Sequence, residues 1–226
     1  MYIKKASIIF YFYAIFSIGC LAVHDPPKVV LTYAAPFDNI CSIKTAYKIE
    51  KSWIRELIQR LPYWQSLWQN EGHLLLKTTI DLIGKPFVHE EFHVALSLCN
   101  FPSMSMPLIV NARYLLGKYM KEPRPDFILM SIIFHEVLHN YLTPILPKET
   151  ALLKKYKQES FVVLNHLHLL ALIKSVYLSL GWQEKLDAII RDDEKLAHDG
   201  YKRAWEIINK YENYIDFINE IKTPQR

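Results

Sequence analysis

Two histidines share one face of a helix that the sequence predicts from Asp126 onward. The residues of this face step by 4, 3, 4 and 3 positions, as in an α-helix: Ile128, Ile132, His135, His139 and Leu142. Asp126 suits the N-cap, and Pro144 and Pro147 end the segment. The rest of the face is apolar, as expected of a buried helix.

His135 and His139 belong to the motif His-Glu-Val-Leu-His. One helical turn separates the two histidines, so their imidazoles can converge on one metal ion. Glu136 lies one position further round the helix, which places its carboxylate beside the ion rather than on it. There it could take a proton from a water bound to the ion, whose pKa falls to about 7 in favourable sites. The motif therefore predicts two metal ligands and a general base.

The same pattern occurs a second time, at residues 89–93. We expect no metal site there, because the segment follows Gly84 and Pro86 and continues into a strand-like alternation. A charge, Glu91, also sits inside this copy of the motif. The position 20 residues beyond its second histidine is Arg113, a poor metal ligand. Both histidines of this copy are thus predicted to be structural.

A catalytic zinc ion needs three protein ligands and one open position. Glu159 lies 20 residues beyond His139, and residues 148–180 contain neither Gly nor Pro, which predicts one long helix. Glu159 and His166 share one stripe of that helix with four apolar or aromatic residues, which are Val163, Leu170, Ile173 and Tyr177. We favour Glu159 as the third ligand and keep His166 as the alternative; the residue not used would orient a ligand. A ligand elsewhere in the chain is the remaining possibility.

This spacing resembles that of a known family of enzymes. His-Glu-Val-Leu-His, followed by 19 residues and Glu159, is similar to the gluzincin branch of the zincin metallopeptidases. The resemblance covers about 35 of the 226 residues. It implies zinc on His135, His139 and Glu159, with Glu136 as the general base.

The chain also departs from the zincin patterns. The family's Asp four residues after the ligand Glu is Val163 here, and the Asn that often precedes that Glu is Gln158. The long-spaced Gly and His of the metzincins would fall at Leu142 and Ile145. The resemblance therefore indicates the zincin clan and no named family within it.

The patterning predicts an α+β fold, with a small antiparallel or mixed N-terminal sheet and a helical C-terminal half. The resemblance implies that this fold is zincin-like. The elements expected before Asp126 are an extended leader, a helix and three strands, at 23–40, 42–61, 74–82, 94–98 and 107–115. Residues 23–226 are predicted to form a single domain, because this length is sufficient for one core and not comfortably for two.

The first 22 residues are typical of an export signal. Lys4 and Lys5 precede an apolar run, residues 8–18, and Cys20 and Ala22 supply small residues at the cleavage spacing. Lipidation of Cys20, or an uncleaved apolar segment, would instead attach the protein to a membrane. We therefore expect an exported protein, either periplasmic, in the cell envelope or secreted.

Cysteine usage and charge add two expectations. Cys41 and Cys99 could form a disulfide bond in an oxidising compartment, or could be two buried thiols. The net charge is only +4, and no run of Lys or Arg is present. Nucleic acid is therefore not an expected partner.

These features together predict an exported zinc-dependent hydrolase with one zinc ion per chain, most simply a metallopeptidase acting on peptide or protein substrates. The substrate would lie along an edge strand, for which Pro107 to Arg113 is the candidate. His198 and Tyr201 are weaker candidates for stabilising a tetrahedral oxyanion. The alternatives are a non-catalytic, zinc-stabilised binding or envelope module on a zincin scaffold, and a metal-free helical structural protein.

Overall fold

A four-stranded mixed sheet is built from the N-terminal part of the computed structural model, which describes residues 25–196, 199–210 and 213–223. In chain order its strands are β1 (Lys28–Tyr33), β2 (Glu91–Ser97), β3 (Met104–Ser105) and β4 (Leu108–Asn111). Their spatial order is β1-β2-β4-β3, with β1, β2 and β4 parallel and β3 antiparallel at one edge. The predicted α+β class with a small mixed sheet is confirmed, and β2 and β4 lie where the second and third strands were expected.

The region predicted as an extended leader and one helix contains β1, which is extended, and two helices, α1 (Ala35–Thr45) and α2 (Lys51–Leu67). Pro36 lies in the first turn of α1, where a proline is tolerated because its missing N–H would have no helical partner. Ala46 adopts a left-handed conformation, with φ 55°, and separates the two helices. The helix expected over 42–61 continues to Leu67, because Pro62 lies inside α2 and does not end it.

The segment 74–82, predicted as the first strand, is helical instead. It forms α3 (His73–Ile83), which one π-helical turn, Trp68–Gly72, joins to α2. The buried residues of α3 step by 1, 3, 1 and 3 positions: Leu75, Leu76, Thr79, Ile80 and Ile83. Nearly every position in this segment is apolar or Thr, so an alternating pattern and a helical one both fit the sequence.

The chain after Asp126 is helical, as predicted. Six helices follow within the described residues: α4 (Asp126–Leu142), α5 (Ala151–Lys155), α6 (Phe161–Ser179), α7 (Gln183–Asp193), α8 (Gly200–Asn209) and α9 (Tyr214–Lys222). The prediction of one helix over 148–180 is wrong. Ser160 caps α6 by accepting a hydrogen bond at Oγ from the Val163 N–H, 3.4 Å away, so the helix begins after residue 160.

Helix α6 forms the centre of the C-terminal half. It packs against α3, α4, α8 and α9, and the buried side chains of sheet and helices form one continuous core. By length and hydropathy α6 could cross a membrane, yet 67% of its apolar window is buried inside the protein. It therefore has the environment of a core helix.

Cys41 on α1 and Cys99 after β2 form a disulfide bond, with their Cα atoms 6.3 Å apart. Of the two expectations for these cysteines, the structure shows the disulfide. The bond links α1 to the loop that follows β2. The predicted signal segment, with Cys20, lies outside the described residues.

Candidate metal centre

Three histidines from two helices converge inside the C-terminal half. His135 and His139 lie on α4, and His166 lies on α6. One ring nitrogen of each can be chosen so that all three lie within 4.8 Å of one another. The ring centroids are 5.0 to 5.2 Å apart in all three pairs. Because ligands of one tetrahedral zinc ion are about 3.3 Å apart, small side-chain rotations would bring the three nitrogens onto one ion.

The packing of α4 against α6 produces this triangle. His135 and His139 are one turn apart, so both face α6, and His166 faces back from the adjoining helix. The Nδ1 atom of His166 lies 2.6 Å from the Val162 carbonyl oxygen, which can only accept a hydrogen bond. That contact places the ring proton on Nδ1 and the lone pair on Nε2, as a metal ligand requires.

Burial keeps the imidazoles of His135 and His139 in the neutral form that binds metals. The pKa of His135 lies well below its usual value because of desolvation, with further contributions from His166 and His139. Desolvation, assisted by His166, lowers the pKa of His139 to about 4. At neutral pH both rings therefore carry lone pairs and no charge, which fits the donor set of a transition-metal ion.

Glu136 is buried on α4, with 7% of its surface exposed. Its carboxylate is not among the three side chains whose ligand atoms are close enough to share an ion. Desolvation raises the pKa of its carboxyl group to about 8. A nearby dication would lower that pKa again, because opposite charge favours the ionised form. The carboxyl group is therefore poised to exchange a proton near neutral pH.

Glu159, the favoured third ligand, is not part of this cluster. It lies between α5 and α6, before the Ser160 cap, and so it is not on the stripe that carries His166. Its Oε1 atom accepts hydrogen bonds from Arg203, at 2.7 Å from Nη2 and 3.1 Å from Nε. That interaction holds the pKa of Glu159 below its usual value. The structure thus brings the alternative ligand, His166, to His135 and His139, and the N-cap signal of Ser160 could have indicated this.

Tyr201, from α8, reaches the three-histidine cluster. Its hydroxyl oxygen is 3.5 Å from His135 Nε2, and its ring centroid is 4.3 Å from that of His166. Desolvation raises the pKa of the phenol, and the negative charges of Glu136 and Asp193 raise it further. The other oxyanion candidate, His198, lies outside the described residues.

The edge of the sheet beside α4 is not the one predicted. β4, within Pro107 to Arg113, lies between β2 and β3, so the edge strand is β3. Asn140 Nδ2 donates to the Ser105 carbonyl at 3.1 Å and to the Glu136 carbonyl at 3.1 Å. This side chain ties the edge strand to the helix that carries the motif.

The second copy of the motif forms no such cluster. His93 lies on β2 with 72% of its side chain exposed, and its ring nitrogen is 3.5 Å from Glu91. Within the part of the chain that the structure describes, His135, His139 and His166 are the one group of three or more such side chains close enough to share an ion.

Comparison with known proteins assigns no family. No protein-family model, curated protein or solved structure matches the chain. The geometry of the three histidines and the chemistry of their donor set are what suit this cluster to a metal ion.

Proposed function

We propose that the protein is a zinc-dependent hydrolase, most simply a peptidase, with the ion bound by His135, His139 and His166. The observation that carries the proposal is the convergence of the three rings, whose ligand atoms lie within 4.8 Å of one another, next to the buried Glu136. The third ligand in this proposal is His166 rather than Glu159, because Glu159 is engaged by Arg203.

The donor set supports zinc. Imidazole nitrogens suit zinc, copper, iron and nickel, and three histidines with an open fourth position form a known type of catalytic zinc site. A zinc ion bound there would lower the pKa of a water ligand from 15.7 to about 7. One ion per chain is expected, since the described residues contain a single such cluster.

Glu136 is the group that would move the proton. Its carboxylate would accept a proton from the attacking water and then donate it to the leaving amine of a peptide bond. The hydrophobic surroundings of α4 keep bulk water away from this carboxyl group and raise its pKa. A raised pKa suits a carboxyl group that must accept a proton and then donate it. The Val162 carbonyl would hold the His166 ring in one orientation during the reaction.

The edge strand β3 is the proposed binding strip for an extended substrate. A peptide can add to a free sheet edge by main-chain hydrogen bonds, with its reactive carbonyl placed over the adjacent helix. Asn140 holds Ser105 of β3 against α4, one helical turn after the residue proposed as the general base. This geometry supports a peptide or protein substrate.

The scaffold is compatible with the zincin resemblance. A small mixed sheet with an antiparallel edge strand packs on the helix that carries the motif, and α6 and α7 pack on the same helix. The Cys41–Cys99 disulfide supports export, because such bonds persist mainly in oxidising compartments. Membrane attachment through Cys20 or an uncleaved signal remains a prediction of the sequence.

Replacing Glu136 by Gln tests the proposal. The zinc-loaded wild type and the variant are incubated with a mixture of unstructured peptides, and products are identified by mass spectrometry. The wild type should cleave, and Glu136→Gln should retain one zinc per chain and lose about 10²-fold or more of the rate, the scale of general-base catalysis. Equal cleavage by both proteins would refute the role of Glu136. A zinc-loaded wild type that cleaves nothing would favour the non-catalytic, zinc-stabilised module.

A further inference from the structure

The distance between Tyr201 and His135 is unusual for a hydrogen bond. The hydroxyl oxygen lies 3.5 Å from His135 Nε2. A hydrogen bond from a hydroxyl group to a ring nitrogen would normally be about 2.7 to 3.2 Å. Two ligands of a tetrahedral zinc ion, each about 2.0 to 2.1 Å from the metal, are separated by about 3.3 Å. The 3.5 Å spacing is therefore long for a hydrogen bond and is also close to the separation of two ligands of one ion.

The position of the Tyr201 ring also fits a side chain that lies among the ligands of one ion. Its centroid is 4.3 Å from that of His166 and 5.7 Å from that of His135, so the phenol lies against two of the three proposed ligands. It comes from α8, an element separate from both ligand-bearing helices. The hydroxyl thus approaches the cluster from a direction that neither α4 nor α6 covers.

Contacts at other positions hold α8 in this place. Arg203 binds Glu159 in front of α6, at 2.7 Å. Trp205 Nε1 donates to Asp193 at the end of α7, at 2.9 Å. These two contacts lie two and four residues beyond Tyr201 on the same helix. The two contacts join α8 to the end of α7 and to the residue before the Ser160 cap of α6, so the position of the Tyr201 side chain does not depend on its own contacts alone.

We propose that the Tyr201 hydroxyl is the fourth ligand of the metal ion when no substrate is bound. The inference rests on the metal centre proposed above and adds an oxygen donor to its three nitrogens. Coordination would replace the phenolic proton, which passes to solvent. The catalytic water, like a substrate oxygen, would then have to displace Tyr201 or bind beside it, since zinc can expand from four to five ligands.

Spectroscopy of Tyr201→Phe with copper(II) tests the proposal without an activity assay. The wild type loaded with copper(II) should show a phenolate-to-copper charge-transfer band in the visible region, and Tyr201→Phe should lack it. Tyr63→Phe is the matched control, because Tyr63 is 55% exposed on α2 and should leave the band unchanged. Zinc affinity, measured by competition with a chromophoric chelator, should fall by about tenfold or more in Tyr201→Phe. Loss of a residue that only orients a metal ligand already lowers metal affinity by about that factor.

His166→Ala distinguishes failure of this inference from failure of the metal centre. If His166→Ala loses the metal while Tyr201→Phe keeps wild-type zinc affinity, the three-histidine centre stands and the fourth ligand is not Tyr201. The absence of a charge-transfer band in the copper-loaded wild type would also overturn the inference. If His135→Ala, His139→Ala and His166→Ala all bind zinc as the wild type does, the metal centre itself is wrong.

Discussion

Glu159 and Arg203 form an ion pair, with Oε1 2.7 Å from Nη2, that joins the segment before α6 to helix α8. The pair gives Glu159 a partner outside the three-histidine cluster. It also fixes the part of α8 from which Tyr201 extends. Glu159, which the sequence favours as a ligand, thus contacts the site only through Arg203, two residues after Tyr201 on α8.

The identity of the third ligand follows from this arrangement. His166→Ala should weaken zinc binding by about 100-fold or more. Loss of a ligand should lower zinc affinity at least as much as loss of a residue that hydrogen-bonds to a ligand. Glu159→Gln should retain zinc, because its side chain is engaged by Arg203. Isothermal titration with zinc measures both affinities. The opposite result, loss of zinc in Glu159→Gln alone, would restore the gluzincin ligand set.

Zinc should stabilise the folded protein. An ion that binds only the folded state adds about 2.7 kcal/mol to the free energy of unfolding at a concentration 100 times the dissociation constant. The melting temperature should rise with zinc concentration in the wild type and in His93→Ala, whose side chain is exposed on β2. It should not respond in His139→Ala. A response to zinc that depends on His93 would place the metal at the other copy of the motif.

Asp193 should make stability depend on pH. Desolvation raises the pKa of its carboxyl group from 3.8 to about 7 in the folded protein, although the hydrogen bond from Trp205 opposes the shift. Between these two values the folded state binds more protons than the unfolded chain, so the contribution of Asp193 to stability falls as pH rises. Above about pH 7 both states are ionised and the loss is complete.

Asp193→Asn isolates this effect, because the amide keeps an acceptor for Trp205 and cannot ionise. Urea unfolding of the metal-free wild type and variant should give similar stabilities near pH 4. The variant should become increasingly the more stable of the two toward pH 8. A difference that is the same at every pH would show that ionisation of Asp193 does not affect folding.

The disulfide should contribute measurably to stability. Replacing Cys41 and Cys99 together by Ala should lower the free energy of unfolding by about 2 to 5 kcal/mol, the usual cost of removing a native disulfide. The bond closes a loop with a sequence separation of 58 residues, which the unfolded chain would otherwise sample freely. Denaturant unfolding with and without a reductant gives the comparison. Unchanged stability of the reduced wild type would contradict the expectation.

Several local features could be predicted from the sequence because neighbouring residues determine them. The spacing of His135 and His139 on one helical face is independent of the rest of the fold, and α4 forms as expected. The strand at Glu91–Ser97 follows from its alternating pattern. Segment 74–82 could not be assigned in this way, because its apolar residues fit two periods and packing of α3 in the core decides between them.

The sequence by itself determined that two imidazoles and a carboxyl group share α4, since a period of 3.6 residues follows from the backbone alone. Only the tertiary structure decided which side chain joins them. Glu159 and His166 are seven residues apart, and the choice depends on where Ser160 starts α6, how α6 packs on α4, and which carboxylate Arg203 binds. The Ser160 cap is a local signal, but the other two features are contacts between residues far apart in the chain, which local spacing does not encode.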